Sequence, residues 1–172
     1  EENNASDKKE SNKTIIDQNG RKVKIPKEIN KVVMTAFPLP GVYYAVNGSC
    51  DKIVGIHPGA KSAAENSILS VLAPELMDAE TGFVKGKNIN IEELLGLKPD
   101  LVVFWGGYPK QVEQFDNSGI PAVAVKTMAG GNAVETLSTW IELLGEIFGK
   151  EDRASEVIAY SHETLGMIPS KT

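Results

Sequence analysis

The chain has 172 residues, 41% of them hydrophobic, and a net charge of −5. That is enough for one domain of ordinary size with a real core, and the negative charge argues against a nucleic-acid surface. No apolar run reaches the roughly eighteen residues that a membrane-spanning helix needs, and the single cysteine, Cys50, excludes an internal disulfide framework or a multi-cysteine metal site.

Residues Glu1 to Asn12 hold no apolar residue larger than alanine, so residues 1–12 read as a disordered tether. Thr14 to Pro26 reads as a β-hairpin. Its Asn19-Gly20 pair suits a two-residue turn, because both positions tolerate positive φ. Strand and helix then alternate. Lys31 to Phe37 is a strand, and Leu39 to Asn47 is a short helix entered through Pro38 and Pro40. Lys52 to Ile56 is a strand, Ser62 to Leu72 a helix, and Phe83-Val84 a short third strand.

The densest stretch runs from Asn90 to Trp105. Asn90 can cap a helix, and Glu92 and Glu93 sit where the helix dipole favours carboxylates. Leu94, Leu95 and Leu97 supply an apolar face, and Pro99 cannot continue the helix. Leu101 to Trp105 is an unbroken apolar run, as a strand covered on both faces requires. A helix over Lys110 to Asn117, stopped by Ser118-Gly119, and a strand over Pro121 to Val125 follow. Ala133 to Phe148 is a long helix, with Val134, Leu137, Ile141, Leu144 and Phe148 at helical spacing and Gly149 closing it. A last helix runs from Glu151 to Leu165. This order predicts an α/β fold: a parallel sheet with helices on both faces, Rossmann-like, preceded by the hairpin.

In open α/β sheets, ligands bind beyond the carboxyl ends of the strands. That rule selects Phe37-Pro38, His57-Pro58-Gly59, Trp105-Gly106-Gly107-Tyr108 and the loop from Thr127 to Asn132. The candidate ligand contacts there are Phe37, Pro38, His57, Trp105, Tyr108, Thr127 and Met128. Trp105 and Tyr108 offer broad flat surface with one polar handle each, which suits a bulky, partly apolar ligand. Each has a plainer reading: Trp105 and Phe37 as core residues, Tyr108 as an exposed loop residue, His57 as a lone loop histidine. Two distant histidines do not make a clustered metal site. Gly82 to Asn88 lacks the spacing of a phosphate loop, and no Gly-x-Ser-x-Gly, His-Glu-x-x-His or dinucleotide fingerprint is present. No catalytic residue, resident metal or cofactor is therefore assigned, and the chain does not read as an enzyme.

The run Asn90-Ile91-Glu92-Glu93-Leu94-Leu95-Gly96-Leu97-Lys98-Pro99-Asp100-Leu101-Val102 resembles the central motif of substrate-binding proteins for bacterial ABC importers. The branch it resembles carries iron–siderophore, haem and vitamin B12. Asp17-x-x-Gly20-Arg21-x-Val23-x-Ile25-Pro26 is a second match. The resemblance implies an extracytoplasmic protein, periplasmic or a membrane-anchored lipoprotein, that captures an iron complex between lobes and delivers it to a membrane permease. It places Glu92 on the permease's arginines, with Glu93 as the alternate, and Gly86 and Lys87 at the cleft rim. It implies an N-terminal lobe over 13–150, the start of an inter-lobe crossing helix over 151–172, and a second lobe beyond Pro169. A lobe lacking half its pocket walls would bind weakly and self-associate. A corrinoid binder of the same class and a stand-alone cell-surface interaction module are the other readings. An enzyme subunit of metal-cluster type would need cysteine ligands that Cys50 alone does not supply.

Overall fold

The computed structural model describes residues 12–86, 88–129 and 131–167. The tether, apart from Asn12, lies outside the described residues, as do Lys87 and the segment after 167. The hairpin forms from β1 (Lys13–Ile16) and β2 (Lys22–Ile25), antiparallel, with Ile16 opposite Lys22. Its turn is not the expected two-residue form. Gly20 N–H donates to the Asp17 carbonyl at 2.8 Å and Asp17 N–H to the Arg21 carbonyl at 3.0 Å, so three residues make the bend. Only Gly20 takes positive φ there (78°). The Asp17 carboxylate decides this by accepting the N–H of Asn19 (3.0 Å) and Arg21 (2.9 Å), which holds the preceding turn in an Asx geometry.

Next come β3 (Val32–Met34), α1 (Leu39–Asn47) and β4 (Ile53–Ile56). The single helix expected over Ser62–Leu72 is instead two, α2 (Pro58–Glu65) and α3 (Leu69–Leu72). Pro58 suits a first helical position, and the His57 ring accepts the Gly59 N–H, so α2 starts four residues early. Asn66 and Ser67 end it by bonding back to Ser62 and Ala64. A 3₁₀ turn over Pro74–Asp78 follows. The short third strand does not join the main sheet. Val84 pairs with Ile89 in a small hairpin of β5 (Val84–Lys85) and β6 (Asn88–Ile89). Glu80 takes the outer edge of β4 instead, exchanging backbone bonds with Val54 and Ile56.

The motif folds as read: α4 (Ile91–Gly96), then β7 (Leu101–Trp105). Asn90 Oδ1 accepts the N–H of Glu92 (3.1 Å) and Glu93 (3.2 Å). Lys98 ends the helix in a left-handed conformation at φ 52°. Asp100 accepts the N–H of Asn30 and Lys31, each at 2.8 Å, and so ties the entry of β3 to β7. Then come α5 (Pro109–Ser118), β8 (Ala122–Val125), α6 (Ala133–Phe148) and α7 (Glu151–Gly166).

The four parallel strands lie in the order β4-β3-β7-β8. Alternate residues divide between two cores. Val32, Met34, Leu101, Val103, Val123 and Val125 pack with α1, α2 and α6, whereas Val33, Val102, Phe104, Ala122 and Ala124 meet Leu94 of α4 and Phe115 of α5. Helices thus cover both faces, as the uninterrupted apolar strands demand. The hairpin loop covers the free edge of β8: Ala124 N–H donates to the Asp17 carboxylate at 3.1 Å, and Gln18 N–H to the Ala124 carbonyl at 3.1 Å. On α6 the period places Leu137 inward, yet it is 37% exposed, while Thr136, Ser138 and Trp140 are buried. α7 packs on α6, with the Ser138 hydroxyl 3.3 Å from His162 Nε2, so the covered face takes in Ser138 rather than Leu137. Gly145 permits that approach, because a Cβ there would stand 2.6 Å from the Ala154 Cβ.

Candidate functional site

β3 leaves its strand end toward β4 on one side, and the chain later returns to β7 on the other. Such a switch of direction opens a crevice at the carboxyl ends of the strands. A cleft of roughly 350 Å³ lies here. Thr35, Phe37, His57, Trp105 and Tyr108 line it from the strand ends, and Val84 and Ile89 from the small hairpin. A second recess of roughly 590 Å³ adjoins it, lined by Trp105, Gly107, Tyr108, Lys126 and Thr127. Trp105 and Tyr108 are shared by both, so they form a partition wall.

Trp105, His57 and the loops beside them are held from behind, whereas Tyr108 stands exposed. Trp105 is half-buried and meets Trp140 edge-on at 5.6 Å between ring centres. The Trp140 indole N–H donates to the Lys126 carbonyl at 2.9 Å, while Gln18 accepts the Lys126 N–H at 2.7 Å. Asn19 Nδ2 donates to the Gly106 carbonyl at 3.1 Å. Gly106 lies so close that a Cβ would stand 2.7 Å from the Asn19 amide. The tip of the N-terminal hairpin therefore braces the loops after both β7 and β8. His57 is half-buried at the start of α2, with Nδ1 accepting the Gly59 N–H at 3.0 Å.

The fold brings Phe37, His57, Trp105 and Tyr108 to one cleft and Thr127 to its neighbour. Pro38 lies in a separate apolar groove between α1 and α2. Met128 lines neither recess; it is exposed, with a left-handed backbone at φ 59°. Lys87 lies outside the described residues. Sequence reasoning missed Thr35, the one polar residue in the run Val32 to Ala36. The residue is 95% buried (5% exposed), and its hydroxyl has no hydrogen-bond partner among the described residues. A polar residue closing a buried apolar strand was the available signal. Val84 and Ile89 were missed because their two strands pair with each other and not with the main sheet.

At the other end of the motif, Glu92 is exposed, whereas Glu93 is held by Asn90 Nδ2 (2.9 Å) and Lys85 (3.3 Å). The described residues hold no group of three or more His, Cys, Asp or Glu able to bind a metal ion, and no helix long and apolar enough to cross a membrane. Burial pushes the Cys50 thiol up to about 12, reinforced by the Glu75 and Asp51 carboxylates, and Tyr43 is raised by burial as well. Neither lines the cleft.

Residues 41–172 match a protein family described as periplasmic binding protein. The chain is 30% identical over 166 residues to the molybdate-binding protein MolA of Haemophilus influenzae, covering 86% of this chain and 46% of that protein. It is 26% identical over 162 residues to the uncharacterized ABC transporter substrate-binding lipoprotein YvrC of Bacillus subtilis, covering 92% and 46%. Among solved structures, a periplasmic solute binding protein from Veillonella parvula superposes with a TM-score of 0.83 at 36% identity, covering 94% of this chain and 50% of that one. The chain thus spans about half the length of the relatives it matches.

Proposed function

The chain belongs to the periplasmic binding protein family, and from that premise we propose that it forms the ligand-gathering lobe of an ABC importer's substrate-binding protein. It works outside the cytoplasm, in the periplasm or tethered by lipid, and it captures and delivers its ligand without transforming it. The observation that carries this reading is the strand-end cleft, with Trp105, braced by Trp140, and the exposed Tyr108 as its aromatic wall at the switch point of the sheet. The flat wall favours a metal complex, and an iron chelate (a siderophore or haem) is the first ligand class; a corrinoid is the second. A metal oxyanion is a further reading, favoured by the likeness to a molybdate-binding protein. Phe37, His57, Trp105, Tyr108 and Thr127 are the ligand contacts of this lobe. A partner lobe closes the cleft, α7 begins the crossing toward it, and Glu92 docks on the permease. An isolated lobe of this kind self-associates through its uncovered cleft.

The test is a titration of the chain with a ferric siderophore, hemin, cyanocobalamin and sodium molybdate, read by tryptophan fluorescence. Saturable, weak quenching by at least one of them is expected, and Trp105→Leu should abolish it. Unchanged fluorescence with all of them would sink the reading.

A further inference from the structure

His57 and Thr35 both line the cleft, one just past the end of β4 and the other just past the end of β3, where Met34 pairs with Ile56. The His57 Nδ1 is occupied as an acceptor by the Gly59 N–H at 3.0 Å. A neutral imidazole that accepts at Nδ1 carries its proton on Nε2, and that nitrogen is then a donor with no lone pair to offer a metal. To coordinate a metal through Nε2, the ring would have to move its proton to Nδ1, setting two N–H groups against each other and orphaning the cap of α2. Gly59 is built for this arrangement: a Cβ there would stand 3.2 Å from His57 Nδ1 and 2.9 Å from the Phe37 ring. Thr35 is 95% buried (5% exposed) on the cleft wall, and its buried hydroxyl has no partner among the described residues. Leaving such a group unpaired is costly, and its place on the cleft wall is where a ligand would satisfy it.

We infer that His57 and Thr35 are a paired donor site for an oxygen acceptor of the ligand. The ligand class is then an oxygen-rich anion: a metal oxyanion, or a ferric chelate bound through its oxygens, and not a macrocycle held by a His57–metal bond. This rests on the binding reading above and narrows it.

The chain has two histidines, His57 and His162, so the imidazole tautomer is assignable by nitrogen-15 and carbon-13 chemical shifts, with His57→Asn identifying the signal. Asparagine keeps the helix cap through its carbonyl and withdraws the donor from the Nε2 position, because its shorter amide ends before it. Thr35→Val keeps the branched shape and removes the hydroxyl. The expected results are an Nε2–H tautomer in the free chain and affinity for sodium molybdate or ferric citrate lowered about tenfold by each variant. Thr35→Ser should restore binding. Thr35→Val should melt at the same or a higher temperature, which a merely structural hydroxyl would not allow. An Nδ1–H tautomer, anion binding unchanged in both variants, or a histidine-ligated hemin spectrum lost in His57→Asn would overturn the inference while leaving the binding reading in place. Failure of the unmodified chain to bind molybdate, ferric citrate and hemin alike would overturn both.

Discussion

Cys50 has its thiol wholly buried, with Sγ 3.8 Å from the Pro40 carbonyl and its backbone N–H donating to Glu75 at 2.7 Å. Burial first, then the Glu75 and Asp51 carboxylates, raise it from an ordinary 9.0 to about 12. Tyr43 beside it moves in the same direction, again chiefly through burial. Below pH 9 both groups stay protonated whether the chain is folded or not, so neither alters stability. Above pH 9 the unfolded chain releases its protons first, and folding loses ground as pH climbs toward 12. The urea midpoint should therefore fall across that window, and less steeply in Cys50→Ala; an equal fall in both would refute the assignment. The thiol should also ignore disulfide reagents at pH 8 until the chain unfolds. That Cys50 belongs to no disulfide framework was legible from its being the single cysteine of the sequence. Thr35 was not read at all, because its importance lies in a missing partner, and only the packed neighbours reveal that.

Among the elements, those whose ends are written locally were read to within a residue. α6 runs from Ala133 to Phe148 as expected, since Asn132 caps it by accepting the Glu135 N–H at 2.9 Å and Gly149 takes φ 65°. The start of α2 was read four residues late because His57 does not look like a cap in sequence, although its ring serves as one, and the break before α3 was missed because it rests on Asn66 and Ser67 bonding back to the helix. The inward face of α6 was also misjudged at Leu137, since α7 had not been placed against it. That contact gives a test at the scale of two helices. Gly145→Ala should force Ala154 and the Lys150 carbonyl apart and cost about 1–3 kcal/mol by denaturant unfolding. Paired with Ala154→Gly it should recover much of the loss. A single variant as stable as the parent would show that α7 is not seated as described.

For the whole molecule, one helix–strand joint links two distant places, each with a role proposed for it. Glu92 stands exposed at its start, while Trp105 closes a cleft at its finish. If Glu92 docks on a permease, Glu92→Arg should cut uptake roughly tenfold or more while leaving ligand affinity alone. Its folding stability should shift by no more than about 0.5 kcal/mol. Glu93→Arg should instead weaken the helix, because Glu93 is bonded to Asn90 and Lys85. Equal transport by Glu92→Arg and the parent would remove the docking role. The sequence by itself determined the parallel α/β layering, the capped joint at Asn90 and the residues at the strand ends, because periodicity, caps and breakers act over a few residues. Only the tertiary structure decided which of those ends converge, that the N-terminal hairpin braces them, and that His57 and Thr35 both face the cleft. Those outcomes depend on strand order and on hydrogen bonds between residues far apart in the chain, such as Asn19 with Gly106 and Gln18 with Lys126. No local pattern encodes them.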